Sequence, residues 1–135
     1  MTVRSKALAW VKKHPRRNDG DSWLGYCQAL MWQLCNAILD APNPPPLSAL
    51  QASREAFKAG RRTDWWNAPA GAFHYWDLPG TQYGHVGLDL TGKGREILMA
   101  SAHIDKAYGA GVGTVSMTAY WRATKATYLG WSRLN

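Results

Sequence analysis

The apolar residues of this chain recur at helical spacing in its first half and at strand spacing from about residue 70 onward, and this change of period restricts the fold more than any other feature. Cys27, Leu30, Met31, Leu34, Cys35 and Ile38 keep an i, i+3, i+4, i+7 rhythm, which lays one apolar stripe along a helix expected to start near Ser22. Residues 3–12 read as a shorter amphipathic helix, ended at His14-Pro15 because proline biases the residue before it away from helical geometry. Ser48-Ala49-Leu50-Gln51 is a capping box that opens a third helix, with Gly60 as its stop. The proline-rich stretch 41–46 between these helices is expected to run extended over the surface. Beyond residue 70, short strands are expected at about 72–76, 85–90, 96–101, 114–117 and 127–131, separated by Gly/Pro/Asp turns. Helices first and strands afterwards imply an α+β fold, with a helix packed on a mostly antiparallel sheet. A chain of 135 residues suits a single domain, residues 1–135, that buries roughly two thirds of its unfolded surface.

Composition narrows the function classes. With 46% hydrophobic residues, 8 Trp and 6 Tyr, the chain is too rich in aromatics to be disordered. The aromatics exceed what a core of this size needs, so some of them, with Trp23, Tyr26, Trp76 and Tyr83 nearest the motifs described below, are expected to line an open groove. A net charge of +7 attracts polyanions: nucleic acid, an anionic membrane face or an anionic cell wall. The basic residues of 12–17 and Arg61-Arg62 fall in connections between elements, where solvated loops explain them equally well. No segment approaches the roughly 20 apolar residues of a membrane span, and the first ten residues hold no signal-peptide core. The expectation is a protein that stays in the cytoplasm in which it is made until something else releases it, with no membrane insertion.

Cys27 is the candidate nucleophile. It stands where a capping residue and Gly25 lead into the long helix, and the unpaired N–H groups and positive dipole end of a helix start favour thiolate over thiol. The other cysteine, Cys35, is eight residues further along the same helix, roughly 12 Å away at about 1.5 Å per residue, too far for a disulfide. Two cysteines without a CxxC or paired His motif do not suggest structural zinc, and Cys35 reads as an inert buried thiol. Cys27 also fits the apolar stripe, so periodicity alone leaves it either nucleophile or core. Among the four histidines, His85 has the best context: it opens a strand in which Val86, Leu88 and Leu90 alternate with His85, Gly87 and Asp89. A helix-start cysteine followed some sixty residues later by a strand-start histidine is the general layout of papain-like Cys/His enzymes.

Four segments, Gly25-Tyr26-Cys27-Gln28-Ala29-Leu30, Pro69-Ala70-Gly71-Ala72-Phe73-His74-Tyr75-Trp76, Tyr83-Gly84-His85-Val86-Gly87-Leu88 and Tyr128-Leu129-Gly130-Trp131-Ser132, resemble in order and spacing the CHAP and NlpC-type cysteine peptidases. More narrowly they resemble the N-terminal peptidase domains of actinobacteriophage endolysins, over nearly the whole chain. The resemblance implies a papain-like fold, a Cys27/His85 pair and peptidoglycan as substrate. The bond cut would be the muramoyl to L-Ala amide or one in the stem peptide or cross-bridge. It also implies release from the host cytoplasm to the wall through holes made by a partner protein, and a monomer without a cofactor is expected.

The family places a polar residue on the strand after the histidine to orient it. If Leu90 pairs with Glu96 across the turn 91–95, His85 lies opposite Ser101, and residues of that parity share its face. The resemblance then points to His103, with Ser101 or Asp105 as fallback. Asp89 is about 13 Å from His85 along the strand and should not touch it. His74 is expected on the solvent side or lining the groove, and His14 in a loop. In the expected mechanism His85 keeps Cys27 as thiolate, and the Cys27 N–H and a second donor, for which Tyr26 is a candidate, hold the oxyanion. Some CHAP enzymes bind calcium in an Asp-rich loop before the cysteine. Asn18-Asp19-Gly20-Asp21 is faintly similar, and a turn followed by a helix cap explains the same residues, so no metal is assigned. Two other functions fit the chain: a non-catalytic basic, Trp-rich module that binds cell wall or nucleic acid, and an acyltransferase on the same fold.

Overall fold

The computed structural model describes residues 2–38, 49–59, 61–80 and 82–133. It is an α+β arrangement of four helices and one six-stranded sheet. Helix α1 (Val3–Lys13) starts at Thr2, whose hydroxyl accepts the Ser5 N–H at 3.0 Å, and ends with Lys12 and Lys13 against the negative end of the helix dipole. Helix α2 (Cys27–Ile38) begins five residues later than the apolar rhythm suggested. Gly25 has φ +84°, a left-handed conformation that interrupts any helix through it, and the Tyr26 N–H closes a turn onto the Trp23 carbonyl at 2.9 Å. Cys27 thereby becomes the first residue of α2. Helix α3 (Ala49–Ala56) continues into a 3₁₀ turn, Phe57–Ala59. The expected cap at Ser48, the stop at Gly60 and the proline-rich stretch 41–46 lie outside the described residues.

The strands are β1 (Phe73–Asp77), β2 (His85–Asp89), β3 (Ile97–Ala100), β4 (Lys106–Gly109), β5 (Val112–Val115) and β6 (Thr127–Ser132). They pair antiparallel in the order β4-β5-β3-β2-β1-β6. The β2–β3 register sets Leu88 against Leu98 and Asp89 against Ile97, and Leu90 donates to the Glu96 carbonyl at 2.9 Å, which is the pairing expected from the turn. Two elements were not legible as such: β4, and helix α4 (Met117–Thr124), which begins where a strand was expected to end. Ser116 caps α4 by accepting the Ala119 N–H at 3.2 Å.

Helix α4 changes the meaning of the strand alternation. Phe73, Tyr75, Val86, Leu88, Leu98 and Ala100 pack with α1, α2 and α3 in the main core. The opposite face carries Trp76, Ile97, Met99 and Val115, and α4 covers it with Met117 and Tyr120. His85 and Asp89 belong to this second face and are buried there. Between them sits Gly87, where a Cβ would lie 2.5 Å from Ile97 Cγ2 and 3.2 Å from the Leu98 carbonyl oxygen, so only glycine lets β3 approach this closely. No helix among the described residues is long and apolar enough to cross a membrane.

Candidate active site

Cys27 at the head of α2 and His85 at the head of β2 line one open cavity of about 860 Å³. Leu24, Tyr26, Gln28, Tyr83, Ser101, His103 and Tyr120 complete the parts of its wall that bear on chemistry. Leu24, Tyr26 and Tyr83 are exposed at this cavity, and the Arg17 guanidinium lies 3.5 Å over the Tyr26 ring. Apart from its two histidines, no described residue of the wall is a charged type. The middle of the groove is neutral and the basic charge stands outside it.

Cys27 is partly exposed and Cys35 is buried, and no disulfide joins them. Backbone N–H groups of Val86, Gln28 and Cys27 itself favour the Cys27 thiolate, as a helix start should, but burial outweighs them and pushes the thiol above its ordinary value. His85 moves the opposite way: burial, helped by the nearby charge of His103, holds its pKa down at about 4. Both shifts favour a thiol and a neutral imidazole at rest, against the preformed thiolate that was expected. The hydrogen bond that His85 makes in this state runs from Nε2 to Met99 rather than to Cys27. Contacts between nucleophile and base often tighten only when substrate is bound.

The surroundings of His85 differ from the expected ones. Its Nε2 lies 3.2 Å from Met99 Sδ, Tyr120 stacks on the ring at 5.2 Å between centroids and 16° between planes, and Trp76 tilts against it at 5.8 Å. His103, expected to orient it, shares the cavity and its charge lowers the pKa of His85, while the place at Nε2 is held by Met99. Ser101 is buried with its hydroxyl accepting the His103 N–H at 2.9 Å. Asp105 is outside the cavity wall, and its N–H bonds the Thr114 carbonyl at 2.8 Å.

Two of the four expected groove aromatics are elsewhere. Trp23 and Trp76 are each 1% exposed and neither reaches the cavity. Trp23 fills the main core and donates its indole N–H to the His14 carbonyl at 2.9 Å. Trp76 fills the second core between His85, Tyr120 and Tyr128. An indole adjoining a motif in sequence still goes to whichever side of its element needs volume. His74, expected at the solvent or in the groove, is sealed inside, with Nε2 2.8 Å from Asp89 Oδ2 and Nδ1 2.7 Å from the Tyr128 hydroxyl. As expected, Asp89 does not serve His85. His14 caps the end of α1 and stacks on Trp10 at 4.2 Å. In the segment before the cysteine, Asp19 accepts the Asp21 N–H at 3.1 Å and pairs with Arg17 at 3.3 Å, the bonding of a turn.

Sequence reasoning missed Met99 and Tyr120. Tyr120 had a readable signal: Ser116 as a cap followed by Met117, Tyr120 and Thr124 at helical spacing. Met99 had none beyond its parity with Ser101, because a thioether is not a residue type one searches for beside a catalytic imidazole. Comparison with protein-family models and with the curated proteins gives no match to this chain.

Proposed function

We propose that this chain is a papain-like thiol hydrolase that cleaves an amide bond of bacterial peptidoglycan, in the manner of phage endolysins of the CHAP and NlpC type. The observation that carries the reading is the meeting of Cys27 and His85, from a helix start and a strand start far apart in sequence, on one open groove. Order and spacing of the four family-like segments add to it. The groove's uncharged middle suits a peptide or lactoyl amide, and the net charge of +7 suits an anionic wall around it. The proposed setting is a monomer acting on a wall reached after release from the host cytoplasm, without a cofactor.

Chemistry then begins from the neutral pair. His85 takes the Cys27 proton as sulfur attacks the amide carbonyl, so that charge develops only when substrate is in place. The Cys27 N–H, one of the first four of α2 and therefore without an intrahelical acceptor, is positioned to donate to the oxyanion. Collapse breaks the C–N bond, His85 returns its proton to the leaving amine, and a thioester remains. Water adds to the thioester with His85 again as base, releasing the carboxylic acid and restoring the thiol. An acyltransferase would share every step but the last, where an amine replaces water. Turbidity loss of purified walls, compared between wild type and Cys27→Ala, followed by mass spectrometry of the released fragments, tests the reading and names the bond.

A further inference from the structure

The imidazole of His85 has two nitrogens in very different places. Nε2 points into the second core and meets Met99 Sδ at 3.2 Å. Among the described residues no hydrogen-bond partner stands at Nδ1, and Nδ1 is not a fully buried, unpartnered atom, since Gln28 Oε1 is the one such side-chain nitrogen or oxygen among them. Nδ1 is therefore open to the groove that Cys27 lines. The ring cannot turn freely between these environments, because Tyr120 stacks on it nearly parallel and Trp76 tilts against it.

We propose that Met99 is a positioning residue for His85: its thioether accepts the Nε2–H, fixing the tautomer whose unprotonated Nδ1 faces the groove, while Tyr120 clamps the ring in that orientation. A thioether is a weak acceptor, but it is the only partner of Nε2 among the described residues, and a buried N–H without any acceptor is disfavoured. The tautomer matters because a base must present its lone pair to the thiol, and the wrong tautomer presents a proton instead. Unlike a carboxylate or amide partner, a thioether does this without stabilising the imidazolium, which agrees with the depressed basicity of His85 in the resting protein. The proposal rests on the hydrolase reading for its consequence, though not for its measurement.

The test is the ¹⁵N spectrum of the His85 ring in the full chain, assigned by its loss in His85→Gln, together with wall-lysis kinetics. Wild type is expected to carry its proton on Nε2 between pH 6 and 8. Met99→Leu keeps the volume and apolar character of the site and removes the acceptor. It is expected to move the tautomer ratio toward Nδ1–H by about fivefold and to lower kcat by a similar factor with KM unchanged. Tyr120→Phe, which keeps the stack, is expected to leave the ratio as it is. A wild-type proton on Nδ1, or an unchanged ratio in a folded Met99→Leu, overturns the proposal. Because the wild-type spectrum, once assigned, needs neither Met99→Leu nor a substrate, poor folding of that variant leaves this arm decisive. Absence of lysis by wild type with the expected tautomer counts against the hydrolase reading alone.

Discussion

Nε2 of His74 stands 2.8 Å from Oδ2 of Asp89 with both side chains sealed from solvent, and this pair joins the strands that hold the groove. Asp89 also accepts the N–H of Gly92 at 2.7 Å and of Gly94 at 2.8 Å, fixing the turn after β2, while His74 reaches Tyr128 on β6. The network spends its polar groups on the fold and leaves none for catalysis. Asp89→Ala, which strands a buried histidine and two backbone donors, is expected to cost about 3–5 kcal/mol of stability in denaturant titration. Asp77→Ala, at an exposed position of β1, is expected to stay within about 0.5 kcal/mol.

The two kinds of aromatic residue should separate cleanly. Trp23→Ala removes a core side chain and is expected to cost about 3–5 kcal/mol. Tyr83, 61% exposed at the groove, is expected to change stability little when replaced by Ala, and to raise KM in wall lysis. Denaturant midpoints and lysis rates of the two variants, taken together, check the division. A Tyr83→Ala protein as unstable as Trp23→Ala would contradict it.

Acid stability follows from His85. Its folded pKa of about 4 lies below the ordinary 6.5, so between these values the unfolded chain binds the extra proton. The contribution of neutral His85 is fully present above about pH 6.5 and is lost as pH falls through about 4, with a total near 3 kcal/mol. For Cys27 the raised thiol pKa works at the other end, lowering stability once pH climbs above its ordinary value of 9.0. Thermal unfolding against pH should therefore show a plateau between these limits, and His85→Gln should flatten its acid side. An acid limb unchanged in that variant would assign the loss to other groups.

Thiol reactivity gives a fourth check. Cys27 should be alkylated by iodoacetamide in the folded protein while Cys35, wholly buried in α2, is spared. Because the resting pair is neutral, the Cys27 rate should rise steadily toward alkaline pH without an inflection near 6 to 7. A pH-independent fast rate through neutrality would indicate a preformed thiolate. Removing His103 should raise the pKa of His85, since its charge opposes that of the imidazolium. An NMR titration of His103→Ala reads this directly.

Much of this arrangement was legible from residues alone, because it follows from local rules. The helix stripe of α2, the strand alternation around His85 and the Leu90–Glu96 register all come from periodicity and turn chemistry. What escaped was set by a second layer. The face of β2 opposite Leu88 reads as solvent-facing when it carries His85 and Asp89, and it is buried by a second layer to which α4, Trp65 and Tyr128 contribute. That burial holds down the basicity of His85, turns His74 and Asp89 into an internal pair, and brings Met99 and Tyr120 to the imidazole. Trp23 and Trp76 went inward for the same reason: volume needs on each face are fixed by neighbours that sequence spacing does not disclose.

The most direct measurement is lysis of purified cell walls by wild type and Cys27→Ala side by side, with the soluble fragments weighed by mass spectrometry. The account predicts turbidity loss and new amine and carboxyl termini with wild type, and loss of at least about a thousandfold in rate with the variant. Equal behaviour of the two proteins on walls from several bacterial types would contradict the thiol mechanism and leave a basic, aromatic binding module in its place.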